Sequence, residues 1–380
     1  MPEKNQPAEY QEAMKSISPG RIALAILLGL GIVVYMFVKE FKWSEFAKIE
    51  WTSQVYFWLG MAVIFSITRH LSYMARLRHV TNGFFSWKKC FELIMVWEFS
   101  SAVTPTSVGG SAVALFALSQ DKLPAGRTTM IVMYTVILDT LFFLSSILIL
   151  FLAFGALMVQ PGANDLTALI SQTVYGKIFF FAYLFMLCYG GLFFYGVFIS
   201  PQPVKKLLFW FTGFSLLKRF RSGAEKMADE MYVTSSELKN KKFTFHLLSF
   251  LYTFGAWSSK FLILICLILG FVSHSTDPLV LNHYNDFMQS TMDWNAGIQQ
   301  IFIFARQLSM WIITAITPTP GGSGVAESAF MIFHKDYIPS DGTLLLILTV
   351  FWRSFTYYLY LFLGMIVVPN WLRRTAKKTP

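Results

Sequence analysis

Thr317-Pro318-Thr319-Pro320-Gly321-Gly322-Ser323-Gly324 interrupts an otherwise apolar stretch, residues 298–333. Proline removes a backbone donor and clashes with the preceding helical turn, so a straight helix cannot run through this octet. The stretch therefore divides into two arms. A second apolar stretch, 91–119, is broken the same way by Thr104-Pro105-Thr106-Ser107-Val108-Gly109-Gly110-Ser111. Both breaks carry Thr-Pro-Thr and then Gly-Gly-Ser. Each is followed by a short linker and a long aromatic-rich run holding one charge. The charges are Asp139 and Arg353, 30 and 32 residues past the first glycine of each pair. The arms are about 9–19 residues long, and at 1.5 Å per residue many reach only about half of a ~30 Å hydrocarbon core.

The rest of the chain says which solvent these arms meet. Of 380 residues, 55% are apolar and only 14% are charged, against about 25% charged in an ordinary soluble domain. That excludes a soluble multidomain protein, a disordered chain and a disulfide scaffold, and points to a polytopic helical membrane protein. The net charge of +10 is read as cytoplasmic loop charge and attraction to anionic headgroups. No nucleic-acid-binding signature accompanies it. Cys90, Cys188 and Cys266 have no ligand spacing, and no metal or cofactor is expected. Neither a Walker loop nor a nucleophile elbow nor a pair of catalytic carboxylates is present, so no enzyme is expected.

Six runs are long enough to span: about 22–38, 51–68, 128–154, 178–199, 247–272 and 344–368. The first lacks a small-residue cleavage site and reads as an uncleaved helix. Segment 69–89 holds Arg69, Arg76, Arg78, Lys88 and Lys89 with no acid, and 201–242 holds nine bases against four acids. These and the basic tail are expected inside, as are both termini. Segment 273–297, with Asp277, Asp286 and Asp293 and no base, is expected outside. Within 201–242, residues 204–221 read as an amphipathic helix on the inner leaflet.

The charge map then requires 91–119 to enter and leave from inside, and 298–333 to enter and leave from outside. The expected architecture is an all-α integral membrane bundle with two oppositely inserted re-entrant hairpins, an inverted repeat. The chain is one transmembrane domain. Hairpin 91–119 with helix 128–154 forms the first repeat, and hairpin 298–333 with helix 344–368 the second. Broken helices of this kind meet at the midplane in secondary transporters, and irregular backbone at that depth must be buried in protein or line a polar cavity.

After each break the second arm is expected to start at Gly-Gly-Ser. A helix start offers unpaired N–H groups and the positive end of its dipole, which suits an anion. The candidate substrate-binding residues are Thr104, Pro105, Thr106, Gly109, Gly110 and Ser111, and Thr317, Pro318, Thr319, Pro320, Gly321, Gly322, Ser323, Gly324 and Glu327. The candidate gating or coupling charges are Glu98, Asp139, Arg306 and Arg353, because charges at membrane depth are functional candidates by default. Glu327, Arg306 and Arg353 are expected to form one network with Asp139 or Glu98. Structural pairing is the alternative role for all of these charges. Glu92 reads as solvated and the six histidines as surface residues.

These motifs resemble the transmembrane region of lysylphosphatidylglycerol synthases and their stand-alone, flippase-like relatives. Pro105 through Gly110 is similar to the family's first hairpin pattern. Residues 318–327, ending in Glu327, match the second closely, and Arg353 resembles the arginine of the last long helix. The likeness runs from about residue 69 to 368. It implies movement of lipid rather than its synthesis, since the soluble catalytic domain of the full synthases is not in this sequence. The arginine often found just after the first glycine pair is replaced by residues 112–115, Ala-Val-Ala-Leu.

The leading expectation is flipping or scrambling of an anionic or aminoacylated phospholipid, or of a polyprenyl-linked lipid, across a bacterial inner membrane. The lipid is the expected partner. The alternatives are a transporter or channel for a small soluble anion, and a non-transporting partner of a lipid-modifying enzyme.

Overall fold

The computed structural model describes residues 38, 42–47, 49–104, 114, 115, 117–120, 123–160, 165, 167, 169, 170, 174–200, 202, 206, 209, 210, 232, 235–291, 295–315, 317, 319, 321–339 and 343–376. Among these there are helices and turns and no strand. Five helices are long and apolar enough to cross a bilayer. The protein is a multi-pass, all-helical membrane protein. The expected span at 22–38, most of the amphipathic segment 204–221 and most of the first break lie outside the described residues.

Helix α1 is Ser53–Val80. The Thr52 side chain caps its start by accepting the Val55 N–H at 3.4 Å. It stops where Asn82 and Gly83 adopt positive φ and the Gly83 N–H returns to the Arg78 carbonyl at 2.7 Å. This helix runs past residue 68, the end expected from hydropathy. Arg69, Arg76 and Arg78 are thus helical, not part of a basic loop. Helix α2 (Trp87–Val103) follows, capped by Ser86. Then come α3 (Ala125–Phe154) and α4 (Val174–Phe194), which continues as a wider turn, Tyr195–Ile199.

Helix α5 (Phe243–Phe271) runs back along α1. After α6 (Pro278–Thr291) come α7 (Ala296–Ala315) and α8 (Val325–His334). The last long helix is α9 (Thr343–Arg353), a π-helical turn at Ser354–Tyr358, and α10 (Leu359–Ala376).

Burial sorts these elements by neighbour. In α5 and in the last long helix 72% of the apolar window is buried, against 28%, 33% and 22% in α1, α3 and α4. The first two form the centre, and the other three turn apolar side chains such as Ile64, Ile149 and Phe181 outward. In water that surface would be costly. In lipid it is the expected exterior.

The packing gathers the helix ends on two faces. Lys241 donates to Asn82 at 2.9 Å, Lys239 to the Ile199 carbonyl at 2.8 Å, and Arg374 pairs with Glu92. One face therefore gathers the start of α2, the end of α4 and the end of α10. On the opposite face Thr276 donates to Glu50 at 2.8 Å, and the Lys42 N–H to Thr343 at 3.1 Å. Helix α2 runs antiparallel to α10. Gly364 sits so close to the Phe99 ring that a Cβ there would overlap it.

Candidate functional site

The second break is built by three glycines. Gly321, Gly322 and Gly324 have φ of 57°, 70° and 85°, which disfavour any side chain. Their turns carry the chain from α7 into α8. The helix starts at Val325 with Gly324 as its N-cap, so it begins later than the expected start at Gly-Gly-Ser. Glu327 then folds back, and its Oε2 accepts the Gly324 N–H at 2.7 Å. The anion at this helix start is the chain's own carboxylate.

Arg353 completes the arrangement. Its Nε donates to Glu327 Oε1 at 2.6 Å and its Nη2 to the Gly321 carbonyl at 3.2 Å. The guanidinium lies 4.3 Å from the centre of the Tyr357 ring. Glu327 is 0% exposed and Arg353 5%, so the pair is removed from solvent, where a lone charge would be expensive. Tyr357 donates in turn to the Ala102 carbonyl at 3.2 Å. That carbonyl belongs to the last turn of α2, beside the first break, and is one of those a helix end leaves without an intrahelical donor. A Cβ on Gly321 would overlap the Tyr357 ring and lie 3.0 Å from the same carbonyl. The end of α2 and the second break are thus in direct contact through one tyrosine and one glycine.

The π-helical turn after Arg353 belongs to this site. Its wider winding leaves the Thr356 carbonyl to accept Arg69 Nη1 at 3.3 Å. Turns of this kind inside α-helices recur at functional positions. Arg69 also pairs with Glu98 and lies 4.4 Å from the Tyr360 ring centre. Arg76 pairs with Asp139 at 2.5 Å and donates to Thr253 at 3.2 Å, while Trp257 Nε1 donates to Asp139 at 2.9 Å.

These pairings revise the expected network. Glu327 and Arg353 do meet. Arg306 does not join them. It is fully buried and pairs with Asp336 at 2.8 Å, with further bonds to the Phe333 and Leu157 carbonyls. Glu98 and Asp139 are taken by Arg69 and Arg76. Glu92 is not solvated. It is buried between Lys89 and Arg374. His334 is wholly buried and bonded to Tyr337, so it is not a surface residue, while His246 is half-buried and bonded to Tyr134 at 2.8 Å.

Thr104 caps the end of α2 and donates to the Ser100 carbonyl at 2.6 Å, and Thr317 donates to the Thr314 carbonyl at 2.7 Å. Ser323 is buried. Pro105, Thr106, Gly109, Gly110, Ser111, Pro318 and Pro320 lie outside the described residues. No cluster of three metal-binding side chains occurs among the described residues.

Sequence reasoning missed Arg69, Arg76 and Lys260. Arg69, Tyr73 and Arg76 stand four and three residues apart, one face of a helix, and that spacing could have found them. Lys260 is a lone charge inside an apolar run, the same signal that singled out Arg353.

The model of the lysylphosphatidylglycerol synthase transmembrane region matches residues 22–283, more than half of the chain. The chain belongs to the lysylphosphatidylglycerol synthase transmembrane-region family. The family match begins earlier than the resemblance noted from the motifs and ends before the second break. A UPF0104 membrane protein from Archaeoglobus fulgidus is 23% identical over 364 residues, covering 91% of this chain and 95% of the relative. No solved structure matches. The family connects this membrane bundle to lipid-related function.

Proposed function

We propose that this protein moves an anionic or aminoacylated phospholipid, or a polyprenyl-linked lipid, between the two leaflets of a bacterial cytoplasmic membrane, with both termini inside. The carrying observation is the buried junction of Glu327, Arg353, Gly321, Tyr357 and the Ala102 carbonyl. It joins the end of α2 to the second break within a bundle whose outer surface is apolar. In this reading 91–119 and 298–333 are re-entrant hairpins inserted from opposite faces, and each forms a repeat with the long helix after it. Two contacts bear on this. Arg306, halfway along α7, reaches Phe333 and Asp336, so the end of α8 has turned back beside α7. Tyr134 on α3 reaches His246 near the start of α5, so the chain has come back to the face where α2 began.

The Glu327–Arg353 pair acts as the gate. Glu327 holds the helix start and the guanidinium while no cargo is present. An arriving phosphate competes for both, as anions do at helix N-termini. The residues of the two breaks line the passage of the headgroup, and the acyl chains stay in lipid. Glu98, Asp139 and Arg306 set the relative positions of the helices.

The test is reconstitution of the full chain in liposomes with fluorescently headgroup-labelled phosphatidylglycerol, with dithionite bleaching the outer leaflet. Wild type is expected to expose inner-leaflet probe to bleaching. Glu327→Gln and Arg353→Gln are expected to slow this by about tenfold or more, because each leaves the partner charge buried and unpaired. Wild-type liposomes that bleach no faster than protein-free ones would overturn the reading.

A further inference from the structure

Lys260 is a half-buried charge that no described residue balances. It lies in the middle third of α5. Its ammonium stands over two indoles, 4.8 Å from the Trp257 ring centre and 5.6 Å from that of Trp311 on α7. It forms no hydrogen bond or ion pair with another described residue. Arg69, Glu98, Arg353 and Asp139 all lie within Coulombic reach of it. The two carboxylates among these neighbours, and Glu327 beside Arg353, are already committed. Glu98 is held by Arg69, Asp139 by Arg76, and Glu327 by Arg353. Three pairs cancel, and Lys260 adds one positive charge that no described residue nearby offsets. Residues 99–120, which contain the first break, include no Asp or Glu, so that segment brings no counter-charge either.

An isolated ammonium in a low-dielectric interior is strongly unfavourable unless an anion accompanies it. The aromatic faces of Trp257 and Trp311 lower that cost but carry no formal charge. They also shape the surroundings as an apolar wall with a single cationic point, as Phe143 stacks on Trp311 at 4.1 Å. The helix start at Gly324 is closed by Glu327, whereas Lys260 has three donors and no acceptor engaged.

We propose that Lys260 is the cation that receives the phosphate oxyanion of the ligand, with Trp257 and Trp311 flanking the apolar part next to it. This rests on the reading of the protein as an anionic-lipid translocator and names the residue that recognises the cargo's phosphate. The same chemistry would hold a free phosphate, so the ligand's source is decided by the test.

The experiment measures binding to the full-length protein in mild detergent. The readout is tryptophan fluorescence, since Trp257 and Trp311 flank the lysine. The probes are dioctanoyl phosphatidylglycerol, dioctanoyl phosphatidylcholine and inorganic phosphate. Wild type is expected to bind phosphatidylglycerol more tightly than phosphatidylcholine. Lys260→Met is expected to weaken phosphatidylglycerol binding by about tenfold or more, and Lys260→Arg to retain most of it. Lys260→Gln serves in place of the Met variant if that variant fails to fold. Saturation by inorganic phosphate alone, lost in Lys260→Met, would keep the lysine as the anion site and assign a soluble ligand instead of a lipid. Equal binding by wild type and the Met and Gln variants would overturn the assignment, and so would no binding of any probe to wild type. The liposome assay reads lipid movement separately. Movement that persists unchanged in Lys260→Met refutes the lysine's role and leaves the translocation reading standing.

Discussion

Arg353 on the last long helix and Glu327 in the first turn of α8 meet at 2.6 Å, and each also binds the backbone of the second break. Glu327 takes the Gly324 N–H and Arg353 gives to the Gly321 carbonyl. The pair is therefore a staple across the turn, added to the turn's own backbone bonds such as Gly322 N–H to the Thr319 carbonyl at 3.0 Å. Removing one partner leaves the other charge buried, at a cost of about 3–5 kcal/mol. Glu327→Gln and Arg353→Met are each expected to lower the unfolding temperature in detergent markedly. The double variant is expected to be less destabilised than the sum of the two. Strictly additive losses would show that the two side chains do not act as a pair.

Gly321 and Tyr357 make a second testable couple. A methyl at residue 321 meets both a positive φ and the tyrosine ring. Gly321→Ala is expected to cost about 1–3 kcal/mol through backbone strain and overpacking together. Tyr357→Phe keeps the ring and loses only the bond to Ala102, at about 1 kcal/mol. Tyr357→Leu in the Gly321→Ala background is expected to recover part of the loss by removing the clash. A thermal-unfolding cycle measures this, and no recovery would mean that strain alone sets the cost.

Much of this arrangement is legible in the amino-acid sequence. The Thr-Pro-Thr-Pro-Gly-Gly-Ser-Gly break locates the turn between α7 and α8, because proline and glycine act on the backbone directly and locally. The Glu327–Arg353 meeting follows from two lone charges in apolar runs. Partner choice is what the sequence hides. Arg306 lies on α7, yet its acceptors come from the end of α8, from Asp336 just beyond it and from the turn after α3. Only tertiary packing brings these together. Hydropathy ends α1 too early because Arg69 and Arg76 lower the local value, although their side chains are buried against Glu98 and Asp139. Burial of charge by pairing is invisible to a hydropathy sum.

Sidedness gives a prediction independent of ligand. Asn240 lies exposed beside the basic end of α5, and Asn282 lies exposed on α6 at the opposite face. In a background with Cys90, Cys188 and Cys266 replaced by serine or alanine, Asn282→Cys is expected to react with an impermeant maleimide in intact cells. Asn240→Cys is expected to react only after permeabilisation. The reverse pattern would invert the orientation inferred from the loop charges.

Arg306 shows why one cation cannot stand for another here. Its Nε donates to the Leu157 carbonyl at 3.1 Å, and its Nη1 to the Phe333 carbonyl at 2.9 Å and to Asp336 at 2.8 Å. The guanidinium also faces the Phe302 ring, 4.9 Å from its centre. These three acceptors lie on two separate parts of the chain, and a planar fork with fixed donor directions reaches all of them at once. A lysine ammonium keeps the charge but is a single point on a flexible stem. Arg306→Lys is therefore expected to destabilise the protein by about 2–4 kcal/mol, nearly as much as Arg306→Met, since the backbone acceptors lose their donors in both. Asp336→Asn removes the counter-charge alone and is expected to cost less than Arg306→Met. Denaturation midpoints of the three variants in one detergent give the order. A lysine variant as stable as wild type would reduce Arg306 to a charge partner of Asp336 and remove its role in tying α7 and α8 to the end of α3.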